Sequence, residues 1–217
     1  MKNNATVAAT LSIAIATALH VAAARSLADD PPKQPAGVYV AQAKGDTEEL
    51  IRIPGQRPQQ VKTKGIGKMI ATQGLLKPSM MMELAGPIAD VRVTQSQPVF
   101  YIYIDAQDGQ STDPFAGVSA IMSGDAMPQG ARTGADFSLV YLTVAKESRQ
   151  ADLGKVGGGG KMKDSVECAE ERLAQGVYRL RPKSALKPGE YAFFFTGQGG
   201  SGMNAMGAWP FGVDLPK

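Results

Sequence analysis

The sequence predicts an all-β fold: an antiparallel β-sandwich of immunoglobulin-like or related type, with a long irregular insert and an N-terminal signal helix. Three observations predict it. Beyond residue 37 the apolar residues recur with a period of two rather than 3.6. Two short segments, Val99–Ile104 and Phe137–Val144, are apolar on both faces and rich in β-branched and aromatic residues, as central strands are. After the first 28 residues, no stretch of ten or more reads as a helix.

The chain opens with Met1-Lys2-Asn3-Asn4, a short positive start, and then runs uncharged from Ala5 to Ala24. Ser26-Leu27-Ala28 places small residues at minus three and minus one of a cleavage site, which together form a secretory signal over residues 1–28. A spanning helix is the competing reading of Ala5–Ala24, but its Ala and Thr content makes it weakly apolar. The expected product is exported to the periplasm or medium, with no membrane insertion after cleavage.

Cleavage changes the composition. Of 23 Lys and Arg, Lys2 and Arg25 leave with the signal, so 21 cations face 20 carboxylates. Nothing in that balance calls for nucleic acid or anionic lipid as a partner. The single histidine, His20, leaves too. Without it the remaining chain builds no Ser-His-Asp or Cys-His arrangement and offers zinc no imidazole. Cys168 is the only cysteine, so the fold has to rest on packing; the thiol reads as a small buried hydrophobe.

Residues 29–37 carry Pro31, Pro32 and Pro35 and read as a flexible, extended tail. The β-rich domain follows over 38–217, with subdomains 38–105 and 136–217 around a mobile 106–135 insert as an alternative. Glu49–Ile53, Val61–Lys64 and Asp90–Val93 alternate between turn residues and read as half-buried strands. The insert is rich in Gly, Ser, Asp and Met, with a short helix expected around Val118–Met122. A second break follows at Gly154–Gly160; Ser165–Ala174 is open to helix or strand, with its neighbours favouring strand. Val177–Arg181, Tyr191–Phe195 and Phe211–Leu215 complete the strands. In Leu186-Lys187-Pro188-Gly189-Glu190-Tyr191, a Tyr enters a strand just after a Pro-Gly turn, the signature of a tyrosine corner.

The runs Gly176–Leu180, Leu186–Phe193, Phe211–Asp214, Pro98–Tyr101 and Gly37–Val40 resemble a β-rich domain found in many secreted bacterial proteins without assigned activity. That resemblance implies fold and export, and brings no catalytic residues with it.

Motif strings of known chemistry fail on context. Gly197–Gly202 has the dinucleotide-binding spacing, but the residues after it are too few for the helix, strand and ribose-binding acid that the motif needs. Gly160-Lys161 is followed by Met162 where a P-loop needs Ser or Thr. Ser184–Lys187 fits Ser-x-x-Lys but runs into Pro188-Gly189.

Three constellations stay open. Asp105, Asp108 and Asp113 offer hard oxygens of the kind calcium takes, or form a solvated loop. Met80-Met81-Met82 and the pair Met203 and Met206 offer thioethers to Cu(I), or pack in a core and a loop. Trp209, the only tryptophan, is an exposed stacking platform for a sugar or peptide, or a core aromatic. Trp209, Met203 and Met206 are the candidate binding residues; no catalytic residue, metal site or cofactor is nominated. The expected role is a non-enzymatic binding or structural module of the cell envelope, its partner an envelope protein or polymer. Copper handling through methionines is the alternative, and an enzyme using only carboxylates or a Ser-Lys pair the third.

Overall fold

The computed structural model describes residues 31–44, 47–64, 70–71, 79–104, 127–128, 131–155, 162–196 and 207–216. The signal segment, the Val118–Met122 helix and most of the 106–135 insert fall outside them. Among the described residues thirteen strands form two facing sheets, so the chain is the β-sandwich that the period-two pattern predicts.

The first sheet has the order β10-β11-β6-β1-β2. Its strands are β1 (Gly37–Lys44), β2 (Thr47–Ile53), β6 (Phe100–Tyr103), β10 (Cys168–Ala174) and β11 (Val177–Pro182). All four residues of β6 are buried, because the strand is central and covered on both faces. Phe100 and Ile102 face the second sheet, while Tyr101 and Tyr103 join Tyr39, Ala41 and Val177 in a separate buried cluster.

The second sheet runs β3-β4-β8-β7-β12-β13-β5. It comprises β3 (Gln60–Lys64), β4 (Ser79–Ala85), β5 (Arg92–Val93), β7 (Phe137–Val144), β8 (Ser148–Lys155), β12 (Gly189–Phe195) and β13 (Ala208–Val213). The short β9 (Ser165–Val166) pairs with β7. All pairings are antiparallel except β13 with β5. Strands from 38–105 and 136–217 interleave within each sheet.

Between the sheets lies the main core, dominated by aromatics. Phe100 packs edge-on against Phe193 with centroids 4.9 Å apart, and lies 4.8 Å from Phe211. The far face of β7 and β12 is apolar as well: Val140, Leu142, Ala192 and Phe194 bury against Met82, Leu84 and Ala151 of β4 and β8. They meet because the second sheet curls. β8 pairs with β7 only at Thr143–Gln150 and Val144–Arg149, then diverges, and β9 takes its place beside Leu139 and Val140. On the other side Gln56 bridges back to Ala208 through two backbone hydrogen bonds of 2.6 and 3.0 Å. The curl carries the turn before β3 to the start of β13 and creates the cleft described below.

The predicted corner forms. Tyr191 donates its hydroxyl to the Lys187 carbonyl at 2.9 Å and accepts from the Lys187 N–H at 3.1 Å. The Ser165–Ala174 segment is strand, in β9 and β10. Residues 31–36, expected as tail, lie along the first sheet and are bonded to it by tyrosine hydroxyls.

Candidate functional site

Glu190 is a lone carboxylate in an otherwise apolar strand, and a charge buried there needs partners. Its side chain is 6% exposed. One oxygen accepts the Ala89 N–H at 2.9 Å and the other is ion-paired with Arg92 Nη1. Arg92 reaches it because residue 212, its register partner on β13, has no side chain: a Cβ there would sit 1.6 Å from Arg92 Nη1. The same guanidinium holds Asp214 by two bonds, Nε to Oδ2 at 2.8 Å and Nη2 to Oδ1 at 2.6 Å.

From the other side comes Arg149 of β8, its side chain only 3% exposed. Nε donates to the Gly86 carbonyl at 2.9 Å, and Nη2 to the Ala85 carbonyl at 2.7 Å and Gln56 Oε1 at 3.1 Å. Gly86, with φ of 72°, makes the turn that presents those carbonyls. Nη1 lies 3.8 Å from Glu190 Oε2 and has no hydrogen-bond partner.

Beside this guanidinium is a cleft of about 320 Å³, lined by Pro54, Gln56, Gly86, Ile88, Asp90, Arg149 and Pro210 among others. That volume is at the lower end of the range for small-molecule sites. Ile88 stands at its rim, 64% exposed despite being apolar. Two guanidinium charges here face the three carboxylates of Glu190, Asp214 and Asp90, so the surroundings do not favour an anion. Burial depresses the Arg149 pKa, opposed by Glu190 and Asp90. Hydrogen bonding to Asp214 raises that of Arg92 against its partial burial, with Glu190 adding to the rise. Asp214 in turn is held below the usual carboxylate range by its bonds to Arg92.

The sequence-nominated residues fall elsewhere. Of the two readings of Trp209 the structure has the core aromatic: it is fully buried in the main core, 5.5 Å from Phe137 in an edge contact, and is not an exposed platform. β13 begins at Ala208 and its odd residues face inward, which carries the indole between the sheets. Its Nε1 has no hydrogen-bond partner. Met82 is wholly buried, its thioether committed to packing, while Met80 and Met81 are half-buried. Met203, Met206, Asp105, Asp108 and Asp113 lie outside the described residues. Among the described residues no group of three His, Cys, Asp or Glu is arranged to hold a metal ion, and no helix is long and apolar enough to cross a membrane.

Cys168 is half-buried against the main core and borders a second cavity of about 230 Å³ lined also by Gly134, Met162 and Leu180. Burial pushes its thiol up to about 11, the opposite of what a nucleophile needs.

Sequence reasoning passed over Arg149, Arg92, Glu190 and Asp214. The available signal was Glu190, a single charge inside an apolar strand; Arg149 sits in a polar stretch that gives none. No family model, curated protein or solved structure matches this chain.

Proposed function

We propose that this chain is exported and acts as a non-enzymatic binding module of the cell envelope, with the Arg149 cleft as its ligand site. The observation that carries this reading is a buried guanidinium with one nitrogen lacking a hydrogen-bond partner, in the wall of a cleft with an exposed apolar residue at its mouth. A buried donor without a partner carries a desolvation cost of about 1–3 kcal/mol, so a local rearrangement that lets an acceptor reach it is favoured. The ligand chemistry that fits is a neutral group with a carbonyl or hydroxyl acceptor and an apolar body to cover Ile88, Pro54 and Pro210. The surrounding ionisable groups support binding over turnover. Arg92, Glu190 and Asp214 are engaged with one another, leaving no nucleophile paired with a free base at the cleft. Export rests on the signal-like residues 1–28.

The test is affinity capture from native cell envelope with tagged wild-type protein and the Ile88→Asp variant side by side. The expected result is an envelope component retained by the wild type and lost with Ile88→Asp, which places a carboxylate at an exposed position. Equal retention by both, or turnover of a substrate panel by the purified protein, overturns the reading.

A further inference from the structure

The outer face of the first sheet carries tyrosines that are buried, an unusual burden for a sheet surface. Tyr39 is 3% exposed and Tyr103 is fully buried; their rings meet edge-on with centroids 5.4 Å apart. A buried phenol needs a partner for its hydroxyl. Both hydroxyls donate to the proline-rich segment before β1. Tyr103 donates to the Pro32 carbonyl at 2.8 Å and Tyr39 to the Pro35 carbonyl at 2.9 Å. Arg52 Nη2 adds a bond to the Ala36 carbonyl at 3.3 Å, at the end of the segment.

The two tyrosine acceptors are three residues apart, and this spacing has a physical reason. The carbonyls of residues 32 and 35 both accept from the tyrosine face, and three residues is the repeat of a polyproline helix. Pro32-Lys33-Gln34-Pro35 is a Pro-x-x-Pro segment that adds no strand to the adjoining sheet. Proline lacks the N–H that a ladder requires, so the segment is recognised through its carbonyls alone. Pro31 and Pro32 are half-buried, while Lys33 and Pro35 face solvent. Aromatic hydroxyls reading the carbonyls of an extended proline-rich strand is the physics by which peptide-recognition domains hold such ligands.

We propose that the Tyr39–Tyr103 face is a recognition groove for Pro-x-x-Pro peptides, occupied here in cis by residues 32–35, and that a proline-rich segment of a partner competes for it. The site is distinct from the Arg149 cleft and stands or falls independently of it.

The experiment uses the full chain with Pro31, Pro32 and Pro35 replaced by Gly, so that the segment remains but loses its preformed extended shape. The probe is a fluorescein-labelled peptide with the sequence of residues 29–37, read by fluorescence anisotropy. Saturable binding at least about tenfold tighter than to the wild type is expected, because the cis competitor has been weakened. Adding Tyr39→Phe and Tyr103→Phe should weaken that binding by about tenfold or more, two net hydrogen bonds being worth at least that factor. No saturable binding, or binding indifferent to the tyrosine substitutions, overturns the proposal. Should the triple glycine variant fail to fold, trypsin cleavage after Lys33 in the wild type gives the same decision. Unlabelled peptide in excess should accelerate the cut by displacing the segment, and a rate unchanged by peptide overturns the proposal.

Discussion

Tyr191 and Lys187 exchange two hydrogen bonds four residues apart, the tyrosine oxygen accepting the Lys187 N–H and donating to its carbonyl. The pair fixes the entry of β12 and so the position of Glu190. Tyr191→Phe keeps the ring against Phe211 but leaves both backbone groups of Lys187 without this partner. The expected loss is about 1–2 kcal/mol. In urea unfolding it should appear as a lower midpoint at unchanged m.

Glu190 and Asp214 share Arg92, yet their environments separate their effects: one side chain is 6% exposed and the other 58%. Glu190→Gln leaves two guanidinium groups without their buried counter-charge and should cost about 3–5 kcal/mol. Asp214→Asn should cost far less, because water screens it. The pH dependence follows from Arg92 holding the Asp214 pKa low. A depressed carboxylate contributes stability above its unfolded value, near about 4, and loses that contribution as pH falls through the folded value. Thermal melts of wild type and Asp214→Asn should therefore converge on acidification below about pH 4 and separate above it.

Trp209 is the only tryptophan, so the intrinsic emission of the folded chain reports on one site. Full burial between the sheets predicts blue-shifted emission resistant to iodide quenching, with both properties reversing on unfolding. Trp209→Phe removes an unpartnered donor along with some volume, and should cost less than the roughly 3–5 kcal/mol of truncating a core aromatic to Ala.

Cys168 has its thiol pushed up to about 11 by burial. The raised value means that the neutral thiol is favoured in the fold, a contribution complete below the unfolded thiol pKa near about 8.5 and lost as pH rises toward 11. Iodoacetamide labelling of the native protein should be slow at pH 8 and accelerate up to about pH 11. Labelling as fast as in the urea-unfolded chain at pH 8 would contradict the burial.

Much of the fold was legible in the sequence because alternation and turn chemistry are local. The Pro188-Gly189 turn before Tyr191, and the doubly apolar Phe100–Tyr103 strand, follow from residue types alone. Alternation marks β13 only from Phe211, three residues after it begins, because Pro210 lacks an N–H and argues against a strand interior. The structure accommodates it: Pro210 pairs with Ala192 on one side, while β5 on the other side starts only at Gly212. β8 leaves no apolar alternation to read because Ser148-Arg149-Gln150 is polar, its burial arising from the curl of the second sheet. The cleft was illegible for the same reason. Gln56, Gly86 with Asp90, Arg149 and Pro210 come from four separate stretches and meet only after the Gln56–Ala208 bridge closes.

The proposed role of the Arg149 cleft is to bind a neutral envelope ligand. Amide and guanidinium NMR spectra of the labelled wild-type protein, followed while fractionated envelope extract is titrated in, test it most directly. Saturable shifts concentrated on Gln56, Gly86, Ile88, Asp90 and the Arg149 Nε–H are expected. Shifts confined to residues away from the cleft, with these five unmoved, would contradict it.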